Sequence, residues 1–74
     1  MVTIYTSYGW GPCKVTKMWL QEKNISYEER KISNPNIRKE LMVMGYQTTP
    51  VTIINDEVVV GFNMKKLAAA LELE

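Results

Sequence analysis

Residues 8–14 read Tyr-Gly-Trp-Gly-Pro-Cys-Lys and hold the only thiol of the chain, Cys13. Gly-Pro-Cys-Lys looks like the closing half of a Cys-x-x-Cys dithiol loop, yet position 10, three residues before the cysteine, holds tryptophan. Dithiol exchange needs both sulfurs: one attacks a disulfide as its thiolate, and the other then attacks the mixed disulfide that results. With one cysteine and no histidine, the chain forms no internal disulfide and no ordinary Cys/His zinc site, which takes three or four such ligands. Neither a metal nor a cofactor is expected.

Three readings of Cys13 stand side by side. It falls in the first turn of a helix that opens at Pro12, beside Lys14 and Lys17, whose charges favour a thiolate able to act alone. A lone buried cysteine also packs as a small hydrophobe, and a third use is an intermolecular disulfide. Trp10 is open in the same way. It covers the helix end and the neighbouring loop, or it joins Tyr8 in an apolar anchor for a partner, a role in which both residue types are favoured.

The elements that would position these residues follow from local signals. Val2 to Thr6 is β-branched and aromatic and reads as a first strand ending in a glycine-containing loop. A helix then runs from Pro12 to near Asn24, with Val15, Met18, Trp19 and Leu20 at helical spacing. Ile25 to Ile32 reads as a second strand whose charged centre, Glu28 to Lys31, suits a solvated edge. Asn34 caps a second helix with Pro35 at its first position, Leu41, Val43 and Met44 as its apolar residues, and Gly45 as its stop. Thr48-Thr49-Pro50 leads into a hairpin, Val51 to Asn55 and Glu57 to Gly61, turning at Asn55-Asp56. Asn63 caps a last helix from Met64, where Ala68, Ala69 and Ala70 allow close approach to a sheet while Leu67 and Leu71 fill its face. Met18, Met42, Met44 and Met64 are expected to fill gaps in the core, and Tyr46 to pack.

This order, β-α-β-α-β-β-α, predicts an α/β fold with a mixed four-stranded sheet and helices on both faces, built as one domain over residues 1–74. A chain this short buries about 60% of its unfolded surface and has room for one core. The net charge of +1 argues against nucleic-acid or membrane-surface binding. The opening Met-Val-Thr-Ile-Tyr has neither a basic segment nor a long apolar stretch, so a cytoplasmic location is expected. The terminal Leu73-Glu74 are left uncounted, because that dipeptide is also common before purification tags.

Taken together, several separated stretches resemble the glutaredoxin branch of the thioredoxin fold. They are Ile4-Tyr5-Thr6 as its first strand, Gly11-Pro12-Cys13-Lys14 with Thr16-Lys17 as the active-site loop and helix start, Thr49-Pro50-Val51 as the cis-proline loop, and Gly61-Phe62 after the last strand. The short length and Lys14-Val15-Thr16-Lys17 make the chain most similar to the small redoxins that donate electrons to ribonucleotide reductase and are reduced by thioredoxin reductase. Glutathione-using members show a lysine between the first strand and the active site and a Gly-Gly-x-Asp-like stretch after the last strand. This chain has Ser7 and Gly61-Phe62-Asn63, which puts glutathione binding in doubt.

The resemblance implies a thiol–disulfide oxidoreductase that works on protein disulfides and takes electrons from a thioredoxin-reductase-like partner. Two alignments of the loop exist, a deletion or a substitution, and the spacing from Thr6 to position 10 selects Trp10 in the place of the first cysteine. Cys13 then matches the resolving position, so dithiol exchange is expected to be lost or reduced to monothiol chemistry at Cys13. Trp10, Gly11 and Pro12 form the active-site loop in this reading, and Tyr8, Thr49, Pro50, Gly61 and Phe62 form the surface for a substrate or partner. A non-catalytic thioredoxin-fold binding module is the alternative. An iron–sulfur carrier is disfavoured, since such relatives bind iron through the first cysteine.

Overall fold

A computed structural model describes residues 2–7 and 11–71. Its elements are β1 (Val2–Thr6), α1 (Pro12–Glu22), β2 (Glu28–Lys31), α2 (Pro35–Val43), β3 (Val51–Ile54), β4 (Glu57–Val60) and α3 (Met64–Ala70). The sheet order is β2-β1-β3-β4, with β1 parallel to β2, and with β1–β3 and β3–β4 antiparallel. The α/β fold read from the sequence is the fold observed.

Local chemistry explains the element ends. Pro12 and Pro35 occupy first-turn positions, where a missing N–H costs nothing. Asn34 and Asn63 cap α2 and α3, their Oδ1 atoms accepting from Asn36 N–H at 2.9 Å and Lys66 N–H at 3.0 Å. Both α1 and α2 close with a paired-bond terminus around a residue of positive φ. Asn24 (φ 58°) donates to Gln21 C=O and Ile25 donates to Leu20 C=O; Gly45 (φ 94°) donates to Met42 C=O and Tyr46 donates to Leu41 C=O. The apolar residue after each turn, Ile25 or Tyr46, joins the same core cluster as its bonded partner, Leu20 or Leu41.

Alternation along the strands divides the core in two. On one face Val2, Ile54 and Val59 pack with Trp19 and Leu20 of α1 and Leu67 of α3. On the other, Tyr5 and Val51 pack with Leu41 of α2. Helices therefore cover both faces.

Four expectations need correction. The methionines do not fill the core: Met18, Met42, Met44 and Met64 are all exposed, as are Val15 and Val43, the last at 78%. Helical spacing identifies a stripe, but the width of the stripe is set by how closely the sheet approaches, and here α2 buries only Leu41. Ala69 is likewise exposed. The second strand is half the expected length, because Ile25 belongs to the closing turn of α1. Finally, the centre of β2 is not merely a solvated edge. Glu29 and Arg30 are half-buried and bond to both helical layers.

Candidate functional site

Gly11 is the N-cap of α1, with φ 113° and ψ −140°, a backbone region reached at low cost only by glycine. It turns the chain so that Pro12 begins the helix and Cys13 takes its second position. The Cys13 side chain is buried, with 9% of the residue exposed. One turn on, the Thr16 hydroxyl donates to Pro12 C=O at 2.7 Å, and Val15 N–H donates to Gly11 C=O at 3.0 Å, which fixes the first turn under the thiol.

The Thr49–Pro50 peptide is cis. Pro50 is buried, its C=O accepts from Gly61 N–H at 2.8 Å, and Gly61 itself has φ 74°. That bond joins two of the sequence-derived surface residues, while Phe62, next in the chain, is exposed at 38%. Tyr8 and Trp10 lie outside the described residues.

Ser7, to which the sequence assigns only a part in loop spacing and in weighing glutathione, stands between the two halves of the site. Its Oγ lies 2.7 Å from Thr49 Oγ1 and 4.0 Å from Cys13 Sγ. The signal that would have found it is positional: Ser7 follows directly on β1, and β1 pairs antiparallel with β3 (Tyr5 opposite Val51), so a hydroxyl just past the end of β1 is carried to the segment that enters β3.

The charges around the thiol differ from expectation as well. Lys17 was expected to favour a thiolate, but its Nζ donates to Glu29 Oε2 at 2.9 Å, and Thr6 Oγ1 donates to the same oxygen at 2.7 Å. Burial pushes the Glu29 carboxyl up, but the bonds from Thr6 and Lys17 and the charges of Lys17 and Lys31 outweigh it and hold the group below its ordinary value. The positive charge of Lys17 is thus largely compensated locally. Among the described residues no group of His, Cys, Asp and Glu is placed to hold a metal ion. No helix among them is long and apolar enough to cross a membrane.

Chemically, this arrangement offers one sheltered sulfur at a helix N-terminus, a hydroxyl pair leading from it, and a cis-proline segment tied to the end of β4. Comparison with known proteins agrees on the class. The glutaredoxin family model matches residues 2–59. A glutaredoxin-like protein NrdH of Lactococcus lactis is 33% identical over 69 residues, covering 92% of this chain and 96% of that protein. Among solved structures, a point variant of the thioredoxin-like protein BC3987 superposes with a TM-score of 0.90 at 31% identity, covering 99% of this chain and 96% of that one. The glutaredoxin-like protein NrdH-redoxin of Escherichia coli gives 0.81 at 24% identity, covering 99% and 93%, a likeness of fold.

Proposed function

This chain belongs to the glutaredoxin family, and from that premise we propose that its thiol–disulfide chemistry is reduced to what Cys13 does alone. The observation that carries the reading is the position of the only cysteine of the sequence: second residue of α1, one hydroxyl away from the cis-proline segment. The attacking sulfur of a dithiol cycle has no counterpart in the sequence, since Trp10 occupies its place.

The monothiol step balances as follows. The Cys13 thiolate attacks one sulfur of a protein disulfide; a Cys13–partner S–S bond forms while the partner's own S–S bond breaks, and the displaced sulfur leaves as a thiolate and takes up a proton. No second thiol in the chain resolves the product. Two external thiols resolve it: the first, as its thiolate, attacks the Cys13 sulfur, forming a Cys13–reductant disulfide and releasing the partner fully reduced, and the second then displaces Cys13, so that the electron pair comes from the reductant, which ends as a disulfide. A dithiol reductase of the thioredoxin-reductase kind supplies it in our reading, and a cytoplasmic setting suits a thiol that must stay reduced. Thr49-Pro50, Gly61 and Phe62 form the docking edge for an extended segment of the disulfide-bearing protein, and Tyr8 and Trp10 of the active-site loop are assigned to the same surface in our reading.

The test is reduction of a model protein disulfide by excess small-molecule thiol. Parent protein is expected to accelerate the reaction weakly, Cys13→Ser to abolish that acceleration, and Trp10→Cys to raise it at least about tenfold by restoring the missing nucleophile. Undiminished activity in Cys13→Ser would remove Cys13 from the mechanism.

The burial of Cys13 favours a second reading, a binding module that keeps the docking edge and exchanges no electrons. Protection of the thiol from alkylation until the protein unfolds is the outcome that selects it.

A further inference from the structure

Ser7 Oγ has a single proton to donate and two neighbours placed to receive it, Thr49 Oγ1 at 2.7 Å and Cys13 Sγ at 4.0 Å. A neutral thiol is a poor acceptor, and 4.0 Å is at the outer limit for sulfur, so in that state the short Ser7–Thr49 bond dominates. Ionisation of the sulfur changes the order. A thiolate accepts a charge-assisted hydrogen bond, which is shorter and roughly twice as strong as a neutral one. Thr49 carries its own hydroxyl proton and can then donate to Ser7 Oγ while Ser7 donates to the sulfur. In the thiolate state each hydroxyl then donates one bond.

We propose that Ser7 and Thr49 act in series as positioning residues, a two-hydroxyl relay that stabilises the Cys13 thiolate and links its ionisation to the segment bearing cis-Pro50. The inference deepens the monothiol reading and rests on Cys13 being the working sulfur. The charged residues of the elements that meet at the site are Lys14 and Lys17 on α1 and Glu29 and Lys31 on β2. Of these, Lys17 is committed to Glu29. The segment from Tyr46 to Pro50 and the turn from Gly61 to Asn63 carry no charged residue, and Tyr46 is the titratable group of the first. Tyr8, adjacent to Ser7 in sequence, is titratable and lies outside the described residues.

Thiolate formation is to be followed by ultraviolet absorbance across pH, differenced against Cys13→Ala so that the tyrosines cancel; this readout needs no access of a reagent to the buried sulfur. Ser7→Ala is expected to move the midpoint up by about one pH unit, which is about tenfold less thiolate at any pH below both midpoints. Ser7→Thr, which keeps the hydroxyl, should restore the parent midpoint. Thr49→Val should move it up by less, and should add nothing once Ser7 is alanine, because the relay is serial. An unmoved midpoint in Ser7→Ala, or additive effects of the two substitutions, would overturn the proposal. The disulfide-reduction assay separates this inference from the functional reading. Midpoints that respond as expected in a protein with no exchange activity would refute the monothiol function alone, and activity with unresponsive midpoints would refute the relay alone.

Discussion

Thr52 sits fully buried in β3, opposite Ile4 on one side and Val59 on the other, and its Oγ1 finds no hydrogen-bond partner among the described residues. A hydroxyl stripped of water without a partner costs free energy, so Thr52→Val, which keeps the shape, is expected to stabilise the protein by about 1 kcal/mol in denaturant titration. Leu20 and Met18 provide the complementary contrast, two apolar residues two positions apart on α1. Leu20 has no exposure and Met18 is 54% exposed. Leu20→Ala should cost about 2–5 kcal/mol, whereas Met18→Ala should stay within about 0.5 kcal/mol of the parent. An equal loss from both would contradict the burial that separates them.

At the scale of elements, β2 is held to the rest of the molecule by its two central side chains, which leave opposite faces of the sheet. Glu29 bonds to Thr6 and to Lys17 of α1. Arg30 donates from Nε and Nη2 to the two oxygens of Glu40 on α2, at 3.1 and 2.7 Å, and its guanidinium stands 6.0 Å from the centre of the Tyr5 ring. The Tyr5 hydroxyl donates to Glu40 at 3.1 Å; burial, then that bond, pushes the phenol up. The Arg30 bonds, with Tyr5, hold the Glu40 carboxyl below its ordinary value.

Glu29 and Glu40 are thus both lower in the folded state than the ordinary value of 4.5. Their contribution to stability is fully present above that value and is lost as pH falls through the depressed folded-state values. Stability should decline as pH drops below about 4.5, and the decline should be shallower in Glu29→Gln and in Glu40→Gln. Both pairs are partly exposed, so added salt should weaken the effect. Gly45 is the other element-scale determinant. A Cβ there would meet no atom within 4 Å, so Gly45→Ala is expected to cost about 1 kcal/mol through its φ of 94° alone, measured as a shift in unfolding midpoint.

For the molecule as a whole, the two clusters lie on opposite faces of one sheet, and β1 and β3 contribute residues to both. Val2 and Tyr5 are on the same strand, so neither cluster can loosen without disturbing the other. We expect residues 1–74 to behave as a single cooperative unit, with coincident denaturant transitions by tryptophan fluorescence and far-ultraviolet circular dichroism. Separate midpoints would show two units. The cooperativity bears on the site, because Ser7, Cys13 and Thr49 come from three segments whose positions are set by different parts of this core.

Much of this architecture was legible because it is written in local chemistry. Asn34 and Asn63 cap helices through bonds to residues two and three positions on, Gly45 ends a helix by its own backbone freedom, and the Asn55-Asp56 turn lies between two runs rich in β-branched residues, Val51–Ile54 and residues 58–60. The absence of a sulfur at position 10 likewise needs no coordinates, since no fold supplies a missing atom. What the tertiary structure alone decided depends on segments far apart in the chain. Helical periodicity could not tell Leu41 from Val43 or Leu20 from Met18, because burial is set by how near the sheet comes. Nor could it pair Glu29 with Lys17 or Arg30 with Glu40, which requires the register of β2 against β1. Ser7 meets Thr49 across 42 positions of sequence. A single hydroxyl carries no local signal of its partner, and its role at the site appears only when the end of β1, the start of α1 and the cis-proline segment are brought to one place.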